Sequence, residues 1–417
     1  MSAANDPVVV VVLTKPFPIP PDAGSPRPFQ LITRLAARTR LHCVAGVRCG
    51  ESEWNEFVES PSVASLFESV STRHGRPQDP GSAQALIFLT GSPRHDLRFR
   101  DPVLLRETRS LTRRVAEAHS PVVFLCMGIE ALQLVPRPLW HCCVVDGIDP
   151  WSLSLERQAR DGAELPLVRR MKLYLAQFGM RRFERQMFER VSAVSYNSSD
   201  DIAYLRRHFP DAPIVRVIDG CDTDYFTPEA VADVDEQPDE ILFNGHMRYG
   251  PNLDGACHLV DDIMPLVWKR RPRTRAWLVG PDPSGALARY AHEDRVVATG
   301  FVDDVRPYLK RASVVVSALR VGTGMKNKLQ AGLAMEKAMV VSSVTAEGFD
   351  GLESGRHAVV TDDPAEFAGA VCDLLDDPAR RARMGVEGRR LIRERFSWNA
   401  AIEALWGALE ACPRTAP

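Results

Sequence analysis

The sequence contains no apolar run long enough to cross a bilayer, no Cys-x-x-Cys pair and no surplus of positive charge. The first absence removes the helical membrane-spanning classes. Nine cysteines are scattered along the chain, with Cys142 beside Cys143. That spacing suits neither a zinc site nor a disulfide framework, so the thiols read as strand filling in a reduced compartment. Lys and Arg number 52 against 54 Asp and Glu, a net charge of -2, whereas a nucleic-acid binder carries a basic excess. Two nucleotide fingerprints are also missing. Residues 15–28 hold one glycine, Gly24, among many prolines, which is not a dinucleotide turn, and Gly322 and Gly324 do not fit a P-loop. Met1 to Asp6 leads into a strand rather than a leader peptide. The expected location is the cytoplasm, with contact at the inner face of a membrane left open.

What is present is apolar material for two cores: 45% of 417 residues is hydrophobic. Unbroken apolar runs bounded by turn residues predict strands buried on both faces, the signature of parallel sheets. They fall at 8–13, 41–47, 85–89, 122–126, 141–145, 193–196 and 214–218, and again at 241–244, 276–279, 296–299, 314–317, 339–342 and 359–360. Helical spacing intervenes at 29–37, 104–118, 166–190, 254–267, 305–310, 326–334 and 364–375, and Ser198 to Asp200 caps a short helix to His208. The alternation predicts a doubly wound α/β chain in two similar halves meeting at a cleft. The acidic, proline-bearing run 227–240 reads as the linker. The expected divisions are 1–226, 241–396 and a terminal helix, 397–417, packing back on the first domain.

The strongest candidate site runs from Ser317 to Ala331, where a strand, Gly322, Gly324 and a helix follow one another. Glycines allow close backbone approach and helix-start N–H groups favour an anion. Arg320, Lys326 and Lys328 add positive charge, which suits a diphosphate and brings no carboxylate pair to demand a metal. After the strand ending at Asn244, Gly245 permits a tight exit, His246 and Arg248 are further candidates, and Asn252 or Asp254 can cap the next helix. Phe301 and Val302 could flank a flat base, with Phe301 as plain core the alternative. Glu347 could accept two hydrogen bonds from vicinal sugar hydroxyls, or be a solvated loop residue. In the first half, Gly24, Ser25 and Arg27 form a polar loop, and Asp146 and Asp149 follow a strand near the expected mouth. His95 and His119 are weaker acid-base candidates, and His119 precedes a strand and faces the wrong end. The basic, aromatic stretch 169–185 suits either an anionic partner or membrane surface, or a helix with one packed and one solvated face.

The order of Asn244-Gly-x-Met-x-Tyr-x-Pro-Asn-x-Asp254, Thr299-Gly-Phe-Val-x-Asp-x-Arg-Pro-Tyr308, Leu319-Arg-x-Gly-x-Gly-x-Lys-x-Lys-Leu329 and Glu347-Gly348 resembles glycosyltransferase family 4. These are retaining enzymes of the GT-B fold. The nearest flavour is the subgroup found with exopolysaccharide and exosortase-linked clusters. Residues 217–228 resemble the family's Asn-Gly-Val-Asp-x-x-x-Phe-x-Pro signature, and Ser397-Trp398 its C-terminal crossover. The resemblance implies two Rossmann-like domains facing across a cleft. It implies a nucleoside-diphosphate sugar (UDP, GDP or TDP) held by the second domain, and a glycan, lipid-linked or small-molecule acceptor held by the first. Lys328 with Arg320 or Lys326 would meet the diphosphate, Phe301-Val302 the base, and Gly24 the phosphate or sugar. No metal would be bound. Asp146 would be the reacting group on the acceptor side, beside Ser25, Arg27 and Asp149. The chain departs from the family at Gln330, where a glutamate commonly holds the donor ribose, at Gly322, where an earlier glutamate falls, and at Asp219, the signature asparagine. An epimerase of nucleotide sugars and a catalytically silent sugar-nucleotide binder are the alternatives, and an NAD oxidoreductase a distant third.

Overall fold

The computed structural model describes residues 7–17, 27–47, 49–75, 102–119, 121–161 and 166–416. The strand expected at 85–89, and with it Gly24, Ser25 and His95, lies outside the described residues. Two compact units result, Met1–Ile218 with Asn399–Pro417, and Asp219–Trp398.

The first unit is a parallel sheet of β1 (Val8–Leu13), β2 (Leu41–Val47), β3 (Ser69–His74), β4 (Val122–Met127), β5 (Cys143–Ile148), β6 (Ala193–Tyr196) and β7 (Ile214–Arg216). Its order is β3-β2-β1-β4-β5-β6-β7. β1 reads Val-Val-Val-Val-Val-Leu and is buried throughout, because helices cover both faces of a doubly wound sheet. β3 was not predicted: it is a half-buried edge strand, Ser-Val-Ser-Thr-Arg-His, whose sequence carries no apolar run. The stretch expected as a strand from His141 begins as a 3-10 turn, Arg137–Cys142, and the strand starts two residues later. His119 stacks on buried His42, ring centroids 3.7 Å apart, and His42 opens β2, so the pair lies at the strand-start edge, away from the ligand-binding edge of such sheets. The C-terminal residues join this unit through reciprocal bonds between Val122 and Thr415 (both 3.0 Å) and an ion pair from Arg38 to Glu403.

The second unit repeats the plan with β8 (Gln237–Asn244), β9 (Arg275–Val279), β10 (Val296–Gly300), β11 (Ala312–Ser317), β12 (Met339–Val341) and β13 (Val359–Val360), in parallel order β10-β9-β8-β11-β12-β13. Residues 227–240, expected as a linker, are built into this unit. Pro228–Val231 is a 3-10 turn and β8 begins at Gln237. The run looks solvated because it is acidic, yet three of its six acids are ion-paired: Glu236 with Lys337 and Arg381 (2.7 Å each), Asp239 with Arg271, and Glu240 with Arg311. The helix expected at 254–267 is instead Gly250–His258, a π turn at Leu259–Ile263, then Met264–Arg270. Pro265, which lacks an N–H, sits just after the π turn and accounts for the break.

Gly280 follows β9 at φ +134, and a Cβ there would sit 2.1 Å from the Gly245 carbonyl oxygen. Gly280→Ala therefore meets both backbone strain and a clash that cannot rotate away. It is expected to destabilise the protein by about 2 kcal/mol or more, read as a lowered midpoint in chemical denaturation.

Candidate functional site

In the second unit the strand order reverses beside β8. Its neighbours β9 and β11 are reached in opposite directions, so the loops leaving β8 and β11 diverge and open a crevice at the C-terminal edge of the sheet. Residues Gly245, Gly322, Gly324 and Lys328 belong to those two connections. The Lys328 ammonium donates to Asn252 Oδ1 at 2.7 Å and lies 4.1 Å from the centre of the Phe243 ring. Asn252 in turn donates from Nδ2 to the His246 carbonyl at 3.0 Å, which fixes its amide with the oxygen toward the lysine. A side chain at Gly245 would collide with Asn252 at 2.8 Å and with the lysine Nζ at 3.0 Å, so glycine is what lets this cluster close. Burial, with the charge of Lys326 adding to it, pushes the Lys328 pKa down to about 7.

The three expected cations are disposed differently. Lys326 is buried and its ammonium turns back onto the carbonyls of Thr323 (3.2 Å) and Gly324, bracing the glycine loop. Arg320 is exposed and pairs with Asp254, Nε to Oδ2 at 3.0 Å. Lys328 has a neutral side-chain amide, Asn252, as its partner. Asn252 and Asp254 do not cap the following helix, which begins at Gly250 with Tyr249 in the cap position; they bind the β11 connection instead. Two positions apart in one helix, they share no face by spacing, so the sequence carries no signal for these partners.

Around the same edge, Phe301 follows β10 and is 68% exposed, so it is not core. Val302 beside it is half-buried, Arg248 is exposed, and Glu347 is half-buried at the end of the short Ser343–Ala346 helix. That helix is tied to β11 by Thr345, whose hydroxyl lies 2.9 Å from Ser317 Oγ and 3.0 Å from Ser342 Oγ. Gln330 departs from expectation. It is buried, and its Nε2 donates to the Asp219 carbonyl at 2.6 Å, so it fastens the entry of the unit rather than facing the crevice.

Residues 238–377 match the family described as glycosyl transferases group 1. The whole chain resembles solved structures in shape. A glycosyltransferase from Rickettsia africae matches at 11% identity and TM-score 0.64 over 97% of this chain and 98% of that one. Sucrose-phosphate synthase from Thermosynechococcus elongatus matches at 14% and 0.67 over 96% and 97%. Anabaena HepE in complex with UDP matches at 11% and 0.62 over 96% and 98%. The fold is GT-B. No functionally curated protein matches the chain in sequence.

The first GT-B unit carries its polar residues otherwise. Arg27, expected in an open loop, is the buried first residue of the Arg27–Ala36 helix and grips Asp146 through Nη2 (2.7 Å) and Nε (3.0 and 3.2 Å). Its Nη1 donates to the Ile218 carbonyl at 2.9 Å. Asp146, expected as a reacting group, is wholly buried and also accepts from Ser195 Oγ at 2.6 Å. It is an anchor for Arg27, not a group presented to solvent. Two residues on, Ile148 has φ +64 at an irregularity in β5, a costly conformation for a β-branched residue that sequence reading gave no means to see. Asp149, half-buried, follows it.

Two substitutions test these assignments. Arg27→Ala strands a buried carboxylate and is expected to cost about 3–5 kcal/mol, far more than the paired change Arg27→Met with Asp146→Leu, compared by denaturant titration. Gln330→Glu replaces a donor by an acceptor against the Asp219 carbonyl. It is expected to cost about 1–3 kcal/mol at neutral pH and less in acid, where the new carboxyl regains a proton to donate. Equal losses at both pH values would remove the hydrogen-bond explanation.

Proposed function

We propose that the chain is a nucleotide-sugar glycosyltransferase that moves a sugar from a nucleoside-diphosphate donor to an acceptor hydroxyl, with retention at the anomeric carbon. The observation that carries this reading is the Lys328 cluster: a partly desolvated ammonium aimed at the switch point of a Rossmann-ordered sheet, within a segment that matches the group 1 glycosyltransferases. The motif order supports family 4 as the narrower assignment. Anabaena HepE, of the same fold, has been solved with UDP, with UDP and glucose, and with UDP-glucose, which makes UDP the first base to try.

On this reading the diphosphate meets Lys328, Arg320 and the uncapped start of the Asn327–Ala334 helix, while Lys326 holds the glycine loop in shape. An exposed ion pair such as Arg320–Asp254 is worth little in water, so the arginine can exchange its carboxylate for a phosphate. Exposed Phe301 stacks on the base, and Glu347 accepts from sugar hydroxyls. As the anomeric C–O bond breaks, its electron pair and the developing charge go to the leaving diphosphate, which these cations stabilise. The acceptor oxygen bonds to the anomeric carbon, and its proton passes to the departing phosphate oxygen. Cations rather than a metal neutralise the leaving group. The acceptor side is assigned to the first unit, at the end of β5 that carries Asp149.

Calorimetric titration with UDP, GDP, TDP and ADP, with and without magnesium, checks the proposal. One diphosphate is expected to bind selectively and without magnesium, and Lys328→Ala to lose that binding by at least about tenfold. Below pH 7 Lys328 is already charged in the free protein. Above it, binding must draw in a proton, so affinity is expected to fall as pH rises from 7 towards 9, with proton uptake measurable at pH 8. Binding that is pH-independent and unchanged in Lys328→Ala would sink the donor-site assignment.

A further inference from the structure

The longest described helix of the first unit, Leu167–Phe188, is two different surfaces joined end to end. All of its buried side chains lie from Gln177 onward, where Met180, Met187 and Phe188 enter the core. Up to Phe178 the helix presents Leu167, Val168, Met171, Tyr174, Leu175 and Phe178 to solvent, with exposures from 45% to 72%. These six are more than half of the eleven large hydrophobic residues exposed among the described residues, so the patch is concentrated on one element. At roughly 100° per residue the six fall within about a third of the helix circumference, opposite the side that carries Gln177 and Met180. Arg170 and Lys172 flank this stripe on either side.

From Pro166 to Phe183 the chain has five cations, Arg169, Arg170, Lys172, Arg181 and Arg182, and no acid; Arg181 is paired with Glu156 of the preceding helix, Trp151–Asp161, at 2.8 Å. A second copy laid on the same face would set these cations, Arg181 apart, against their own kind. A surface of anionic headgroups answers both halves of the pattern, taking the apolar stripe about 5–10 Å into the headgroup boundary and the cations at its level. Tyr174 sits at the edge of the stripe, where an amphipathic ring suits the interface.

We propose that this helix face is a monotopic docking site for an anionic lipid bilayer. It rests on geometry in the first unit and does not depend on nucleotide binding in the second.

The test is co-sedimentation of the full chain with vesicles of phosphatidylcholine alone or mixed three to one with phosphatidylglycerol. Binding is expected to the mixed vesicles, to weaken with salt, and to be nearly absent from phosphatidylcholine. The double variant Leu175→Glu/Phe178→Glu is expected to lose at least tenfold in partitioning while keeping its melting temperature, since both side chains are exposed. Arg170→Gln and Lys172→Gln are expected to lose about fivefold each. No sedimentation with either vesicle overturns the proposal, as does binding that the double variant leaves intact. A concentration-dependent dimer abolished by the same variant would give the face to a second copy instead.

Discussion

Reversal of the winding direction beside one central strand is the constraint on which the rest of this molecule depends. Parallel strands must be joined by right-handed crossovers, so β8 is followed on one side by β9 and β10 and on the other by β11 to β13. The helices after β8 and β11 therefore start on opposite faces of the sheet. Their connecting loops part at its edge. Gly280 against Gly245, and Gly245 against Asn252 and Lys328, are close approaches at this edge of the sheet. The first unit obeys the same rule at β1 and β4.

Much of this frame was legible in the sequence because a two-sided parallel sheet demands continuous apolar runs. β1, β2, β6 and β13 begin and end where those runs do. β3 escaped because an edge strand need not be apolar. The misread linker is more instructive. An acidic, proline-bearing segment looks solvated when its partners are unseen, but Lys337, Arg271, Arg311 and Arg381, far away in sequence, turn it into the paired start of a domain.

The candidate site was legible as a composition and not as an arrangement. Three cations near two glycines announced an anion, yet nothing in their spacing distinguishes Lys326, folded onto carbonyls, from Lys328, held by a neutral amide, or from Arg320, in an exposed ion pair. Those differences depend on Asn252 and Asp254, about seventy residues earlier. Likewise Asp146 and Gln330 are the right residue types for chemistry, but the packing around each commits it to a structural bond: Asp146 to Arg27 and Ser195, Gln330 to a backbone carbonyl. A buried polar group must be satisfied, and the nearest partner decides what it does.

One frame used twice thus acquires two electrostatic characters. At the end of β5 the first unit closes its charge on itself, with guanidinium, carboxylate and hydroxyl all within hydrogen-bond reach and out of water. In the second unit the connections after β8 and β11 contain Arg248, Arg320, Lys326 and Lys328 against Asp254 alone. The β11 connection also leads into a helix start whose dipole favours negative charge. Burial, with the charge of Lys326 adding to it, holds the Lys328 pKa down, and a nearby anion would offset both. The imbalance therefore favours an anion over a neutral group at this edge.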